Sequence, residues 1–313
     1  MEAQPHLAPI PDDAQPLLAR WRRPLAFAAA ILFLASLAYV ATFIARNRAA
    51  LEHLPPLRIL PLAASAALYL LAHPFTSAAW VIGLRSLGQD IRFDLALKIA
   101  FASQVGKYLP GNVAHYFGRA ALARFHGVTL KGSGIATLLE IVAALLAAAL
   151  VASAAMLLDP APLVALSSAL SKASALPALV ALAALGGAAV FLRFARIPVS
   201  VLAKVTACLA ANFVLVGLSL LAVVAAVSAQ SLSPAAAIGI FAVAWTAGYL
   251  LPGAPAGLGI REAILVAWLS PIIGPGAAIA CTVLHRIITA GVDALVGIGG
   301  YGWLRAENQV RSK

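Results

Sequence analysis

A chain of 313 residues that is 63% hydrophobic and only 11% charged is too apolar for a soluble domain, in which about a quarter of residues carry charge. Its formal net charge of +11 does not mark a nucleic-acid binder, because the basic clusters fall in short loops with no stacking aromatics between them. Alanine- and leucine-rich runs of roughly 20 residues, without strand-like alternation, identify an all-α polytopic membrane protein rather than a barrel.

The first 24 residues are polar and end in RWRR, Arg20 to Arg23, as a cytoplasmic segment would. The apolar run over 25–45 is too long for a signal-peptide core, and FIARNR offers no small-x-small cleavage site, so a retained first span is expected. A second span is expected over 57–82, interrupted near His73-Pro74. An amphipathic stretch over 92–108 breaks at Pro110-Gly111 and resumes to about 126. A third span, 133–157, stops at Asp159-Pro160, and a weakly polar linker covers 160–174. Spans over 175–193 and 200–228 follow. The stretch 234–250 breaks at Pro252-Gly253 and resumes over 259–270. A last span, 275–302, leads to a cytoplasmic tail, 303–313. Cys208 and Cys281 lie inside apolar runs without metal-site spacing and read as small core residues.

The two Pro-Gly breaks align. KYLPGNVAHYFGR (107–119) and GYLLPGAPAGLGIRE (248–262) superpose at a shift of 142, and eight of 21 positions agree over 101–121, Gly106, Leu109, Pro110, Gly111 and Arg119 among them. The same shift carries 57–82 onto 199–224, 133–157 onto 275–299, and 25–45 onto 167–187. The chain therefore divides into a first membrane repeat, 25–159, and a second, 160–302.

Each piece flanking a Pro-Gly is shorter than the ~20 residues a crossing helix needs. Two re-entrant Pro-Gly hairpins are expected, with about six spanning helices. Each repeat then crosses three times, which makes the repeats inverted. On that topology fifteen cations, among them Arg20, Arg85, Lys131 and Arg193, lie on the side of the termini, and five, Arg46, Arg48, Arg58, Lys172 and Arg261, lie opposite. The positive-inside rule places both termini in the cytoplasm and the protein in the plasma (inner) membrane.

A charge in a membrane span costs ~2.5–3.5 kcal/mol even on the lenient insertion scale and usually faces a bundle interior or a watery cavity. Lys107, Arg119, Glu140, Arg261, Glu262, Arg286 and Asp293 are such charges, and cations are in excess, so the expected guest is an anion. Half-helices beginning after Pro110-Gly111 and Pro252-Gly253 present unpaired N–H groups to it, and Asn112 can cap the first. Glu140 reads either as an ion-pair partner of Arg119 or Arg261, or as a coupling or gating group. Arg286 is a candidate phosphate ligand, which Asp293, two turns on, can instead neutralise. His115 has no second ligand at metal spacing and reads as a hairpin contact. HExxH, GxSxG, Walker and paired-carboxylate signatures are all absent, so no enzyme, metal or cofactor is expected.

KYLPGNVAHYFGR followed by Glu140, and PGAPAGLGIRE followed by HRIITAGVD, resemble the membrane domain of the lysylphosphatidylglycerol synthase/flippase family, the membrane half of the multiple-peptide-resistance proteins. The resemblance covers about 25–302, without the synthase domain. It implies an inverted repeat, re-entrant helices and movement of lipid headgroups between leaflets, with Arg119, Arg261, Glu262 and Arg286 facing the headgroup. The family often has Glu-Arg and a following Asp where this chain has Glu140-Ile141-Val142. The expected function is a flippase for an anionic lipid or lipid-linked headgroup. The alternatives are a non-transporting membrane partner of an envelope-synthesis enzyme, such as a lipid-linked glycosyltransferase, and a small-anion or proton-coupled carrier.

Overall fold

The computed structural model describes residues 42, 45, 48, 56–108, 113–160, 186–187, 193, 196–250, 257 and 259–311. The helices it describes over continuous stretches are α1 (Ile59–Ser86), α2 (Phe93–Ser103), α3 (Ala114–Arg124), α4 (Leu130–Leu158), α5 (Val199–Val227), α6 (Pro234–Leu250), α7 (Ile260–Ile273) and α8 (Pro275–Arg311), and α2 runs on into a 3-10 turn over Gln104–Tyr108. Among the described residues there is no strand. The expected spans at 25–45 and 175–193 lie almost wholly outside the described residues, as do Pro110, Gly111, Asn112, Pro252 and Gly253.

Among the described residues four helices are long and apolar enough to cross a membrane: α1, α4, α5 and the stretch Pro275–Leu304 of α8. The shortest of them, α1, has 28 residues. At 1.5 Å per residue that is about 42 Å, more than the ~30 Å of hydrocarbon. By contrast α2 and α3 have 11 residues each, α6 has 17 and α7 has 14.

The expected interruption at His73-Pro74 does not occur, because α1 passes through Pro74 unbroken. Pro74 cannot donate to the carbonyl one turn back, but side chains brace the turn around it. His73 Nδ1 donates to Tyr69 O (3.0 Å), and Thr76 Oγ1 donates to His73 O (2.8 Å).

Local chemistry sets the other ends. Thr129 caps α4, its Oγ1 accepting from Gly132 N at 3.0 Å. Asp159-Pro160 ends α4 as expected, and the Asp159 carboxylate accepts from Ser233 at the start of α6. Gly274, at φ +86°, ends α7, and Pro275 opens α8 directly after it.

α1 and α5 form the central pair and pack along much of their length. Ser65 and Ser219 join them by a 2.8 Å hydroxyl contact, and Asn212 Nδ2 donates to Ala72 O at 3.0 Å. The interior is rich in alanine, including Ala72, Ala143, Ala147, Ala237 and Ala244, which lets helices approach closely in the absence of a hydrophobic driving force between them. Large apolar side chains such as Leu60, Leu157 and Ile298 point outward, as lipid-facing positions do.

The short helices pack crosswise. α2 lies against α8, and α6 lies against α4. Phe101 of α2 sits on Gly300 in the first contact, with Val105 of the following 3-10 turn on Gly297, and Gly239 sits on Ala155 in the second. The two ends of the first broken segment meet: Gln89 Oε1, just before α2, accepts from Thr129 N, just after α3, at 2.9 Å. Ile91 and Val128 are buried in one apolar cluster with Trp80 and Leu84 at the same place.

Within each broken segment a glycine marks the close approach of its two halves. A Cβ at Gly106 would lie 2.8 Å from His115 N, and one at Gly248 would lie 3.2 Å from Gly257 Cα. Both contacts span nine residues and are related by the shift of 142. Only a residue without a Cβ fits Gly106, because the opposing atoms are backbone.

Candidate functional site

The two broken segments and α1, α4, α5 and α8 enclose a cavity of about 200 Å³. Lys107, Arg119, Glu140, Arg261 and Arg286 all line it, and so does His115. Residues far apart in sequence thus converge at the depth of the spanning helices. Glu262 and Asp293 stand behind this lining and are 5% and 0% exposed.

Asp293 is the hub of the polar network. Its Oδ2 lies 2.5 Å from Lys107 Nζ and accepts from Tyr108 OH at 2.5 Å. Its Oδ1 accepts from Tyr69 OH (3.0 Å) and Gln104 Nε2 (3.1 Å), and faces His73 Nε2 at 3.2 Å. Lys107 Nζ also donates to Tyr69 OH at 2.8 Å. This carboxylate therefore ties α8 to α1 and to the 3-10 turn before the first break. The expected neutralisation of Arg286 by Asp293 is not the arrangement found. Both lie on α8, but the 3-10 turn carries Lys107 to Asp293, while α7 carries Glu262 to Arg286.

The remaining carboxylates each hold an arginine. Arg119 Nη2 lies 2.5 Å from Glu140 Oε2, and its guanidinium stacks 4.5 Å above the Trp80 ring. Of the readings open for Glu140, ion pairing with Arg119 is the geometry seen. Arg286 Nη1 is 3.7 Å from Glu262 Oε1. The other oxygen of Glu262 accepts from Gly259 N at 2.7 Å, so this side chain both caps α7 and faces Arg286.

Arg261 differs. Among the described residues it has no carboxylate within ion-pair distance and no hydrogen-bond partner, and its buried Nε is unsatisfied. Its guanidinium lies 5.3 Å from the centre of the Phe241 ring, a partial compensation. Four cations and three carboxylates thus form three pairs and leave Arg261 over. An unmatched guanidinium in a low-dielectric cavity favours an anion beside it.

Sequence reasoning passed over Tyr69, His73, Gln104, Tyr108 and Asn212. Tyr69 and His73 are four apart on one face of α1, and this spacing was the available signal. It also passed over an aromatic wall: Trp245 and Tyr249 stack at 4.8 Å and 11°, with Phe213 edge-on to Trp245 at 4.9 Å. No group of three metal-ligating side chains occurs among the described residues. Cys281 is buried and Cys208 half-buried, and neither forms a disulfide.

No curated protein matches the chain. The sequence profile described as the Lysylphosphatidylglycerol synthase TM region matches residues 24–297, nearly the whole chain and all of the cavity. With its apolar spanning helices and all-helical architecture, this integral membrane protein belongs to the family of that transmembrane region.

Proposed function

We propose that the protein is a flippase that moves an anionic lipid, or a lipid-linked headgroup, between the leaflets of the inner membrane. The observation that carries this reading is Arg261: among the described residues it lines the cavity without a carboxylate, while Lys107, Arg119 and Arg286 each face one. A headgroup phosphate beside Arg261 would give that guanidinium the anion it lacks while the acyl chains stay in the bilayer. Lys107, Arg119, Glu140, Glu262 and Arg286 would position that phosphate or hold Arg261 in place. The chemistry is binding and movement rather than catalysis, and needs no metal or cofactor.

Alternation of access calls for two halves that can rock. The inverted repeat is supported by reciprocal packing, since α2 of the first half meets α8 of the second and α6 of the second meets α4 of the first. Ala155 on α4 and Gly297 on α8 are 142 residues apart and each receives the crossing helix. Re-entry of the first broken segment is supported by the Gln89–Thr129 hydrogen bond, which brings its two ends together on one side. On this reading each half crosses three times, and both termini are cytoplasmic.

The test is reconstitution into phosphatidylcholine vesicles carrying a trace of headgroup-labelled phosphatidylglycerol. Accelerated loss of inner-leaflet label to an external quencher is expected, and Arg261→Ala should remove most of the acceleration. An unchanged rate in Arg261→Ala sinks the mechanism.

A second reading is a non-transporting partner of an envelope-synthesis enzyme. The enclosure of Arg119 between Glu140 and Trp80 favours it, because an arginine held this way is structural. Co-purification of such an enzyme, with no effect of Arg261→Ala on lipid movement, is the outcome that selects it.

A further inference from the structure

His73 stands between two partners that demand opposite protonation states. Its Nδ1 faces Tyr69 O at 3.0 Å, and a carbonyl only accepts, so Nδ1 carries a proton. Nε2 faces both the amide Nε2 of Gln104 (3.3 Å) and the carboxylate Oδ1 of Asp293 (3.2 Å). The amide donates and the carboxylate accepts. The Gln104 amide cannot be turned round, because its oxygen would then face Asp293 Oδ1, which its nitrogen meets at 3.1 Å. A neutral His73 therefore accepts from Gln104, and a charged His73 donates to Asp293, with no movement of the ring.

Lys107 decides between the two. In the structure it sits on Asp293 Oδ2 at 2.5 Å while also lining the cavity. The carboxylate then already accepts from Lys107, Tyr108, Tyr69 and Gln104, enough to fill its lone-pair directions without His73. An anion in the cavity competes for the Lys107 ammonium. Asp293, buried completely, is left short of a cation. The nearest group able to become one is His73.

Resting on the anion-site reading above, we propose that the His73–Asp293 pair is a proton-binding site coupled to the anion, so that a lipid phosphate and one proton occupy the bundle together. The step balances. The phosphate takes Lys107, one proton from water adds to His73 Nε2, and His73 exchanges the Gln104 amide for Asp293. The cavity then gains one negative and one positive charge. The other groups facing the pair are fixed in charge or polar: Tyr69 on α1, Gln104 and Tyr108 on the 3-10 turn, Asn212 on α5, Arg261 on α7 and Arg286 on α8. His115 on α3 and Glu140 on α4 line the cavity without touching the pair, and Lys98 on α2 points away, over the Trp303 ring at 4.5 Å. Because protons are taken up, lipid should bind more tightly at lower pH.

The test is calorimetric titration of the detergent-purified full chain with dioctanoylphosphatidylglycerol at one pH, in two buffers of different ionisation enthalpy. The difference in heat reads protons taken up per lipid bound. About one is expected for the native protein. His73→Gln should bind more weakly and take up none. Gln104→Leu keeps both titratable groups and removes the amide that steadies the neutral ring, so His73 is charged in advance and uptake should fall by more than half. Binding with no buffer dependence, or equal uptake in His73→Gln, overturns the proton site and leaves the anion site standing. No binding by the native protein overturns the anion site and the proton site with it.

Discussion

Arg119 and Arg261 lie 142 residues apart, each eight residues after the glycine of a Pro-Gly pair, yet among the described residues only Arg119 meets a carboxylate. The residue 142 after Glu140 is Thr282, whose hydroxyl donates to Ala278 O at 2.8 Å within its own helix. Among the described residues one arginine is therefore closed into an ion pair, and the other is left to the cavity. The asymmetry divides the labour between two residues that the sequence makes look equivalent.

Arg261 should carry binding rather than stability. Losing one charge-assisted hydrogen bond costs about 1.5–3 kcal/mol, or roughly 10- to 100-fold in affinity. Arg261→Ala should weaken binding of phosphatidylglycerol by that factor, with an unfolding midpoint equal to or above that of the native protein. Arg261→Lys should keep part of the affinity. A large drop in midpoint would make Arg261 structural.

Arg119 should behave in the opposite way. Removing one partner of a buried pair leaves the other uncompensated, at about 3–5 kcal/mol. Arg119→Ala and Glu140→Ala should each destabilise strongly, and the double variant should cost far less than their sum. Additive losses in detergent unfolding curves would mean that the pair does not couple.

The two glycines at the close approaches should be ranked. An added methyl at Gly106 meets backbone at 2.8 Å, and at Gly248 it meets backbone at 3.2 Å. Overpacking costs about 1–3 kcal/mol, so Gly106→Ala should fall at the upper end and Gly248→Ala below it. Thermal unfolding of the two variants side by side checks the order.

Re-entry can be read by labelling. In a Cys208→Ala/Cys281→Ala background, Arg92→Cys and Lys131→Cys, both at exposed positions, should react with an impermeant thiol reagent from the same side of intact cells or vesicles. Labelling from opposite sides would mean that the first broken segment crosses.

The Asp293 hub should be unforgiving. Lys107→Met removes the ammonium from a fully buried carboxylate, and His73 becomes the only ionisable cation within hydrogen-bond distance of it among the described residues. Lys107→Met should be destabilised by about 3–5 kcal/mol, and Lys107→Met/Asp293→Asn by much less. Equal losses in the two variants, read from detergent unfolding curves, would mean that Lys107 and Asp293 do not couple.

Much of the architecture was legible because it depends on local composition. Apolar run length marks a spanning helix whatever it packs against, and α6 begins and ends at the residues expected, Pro234 and Leu250. The alignment of the Pro-Gly segments also pointed to one polar region, since two charged interruptions in apolar surroundings have few places to go. His73-Pro74 misled because a proline judged alone breaks a helix, whereas in a bundle neighbouring side chains satisfy the turn.

By itself the sequence determined that this is a helical membrane protein, and it marked the four long apolar helices of the described residues. Only the tertiary structure decided who pairs with whom. Asp293 and Arg286 share a helix, but their partners, Lys107 and Glu262, arrive on other elements. An ion pair forms between groups brought within about 4 Å in a medium that screens little, and that proximity is a property of packing, not of spacing along the chain. The surplus left after the pairing, the cation of Arg261, is what gives the cavity its chemistry.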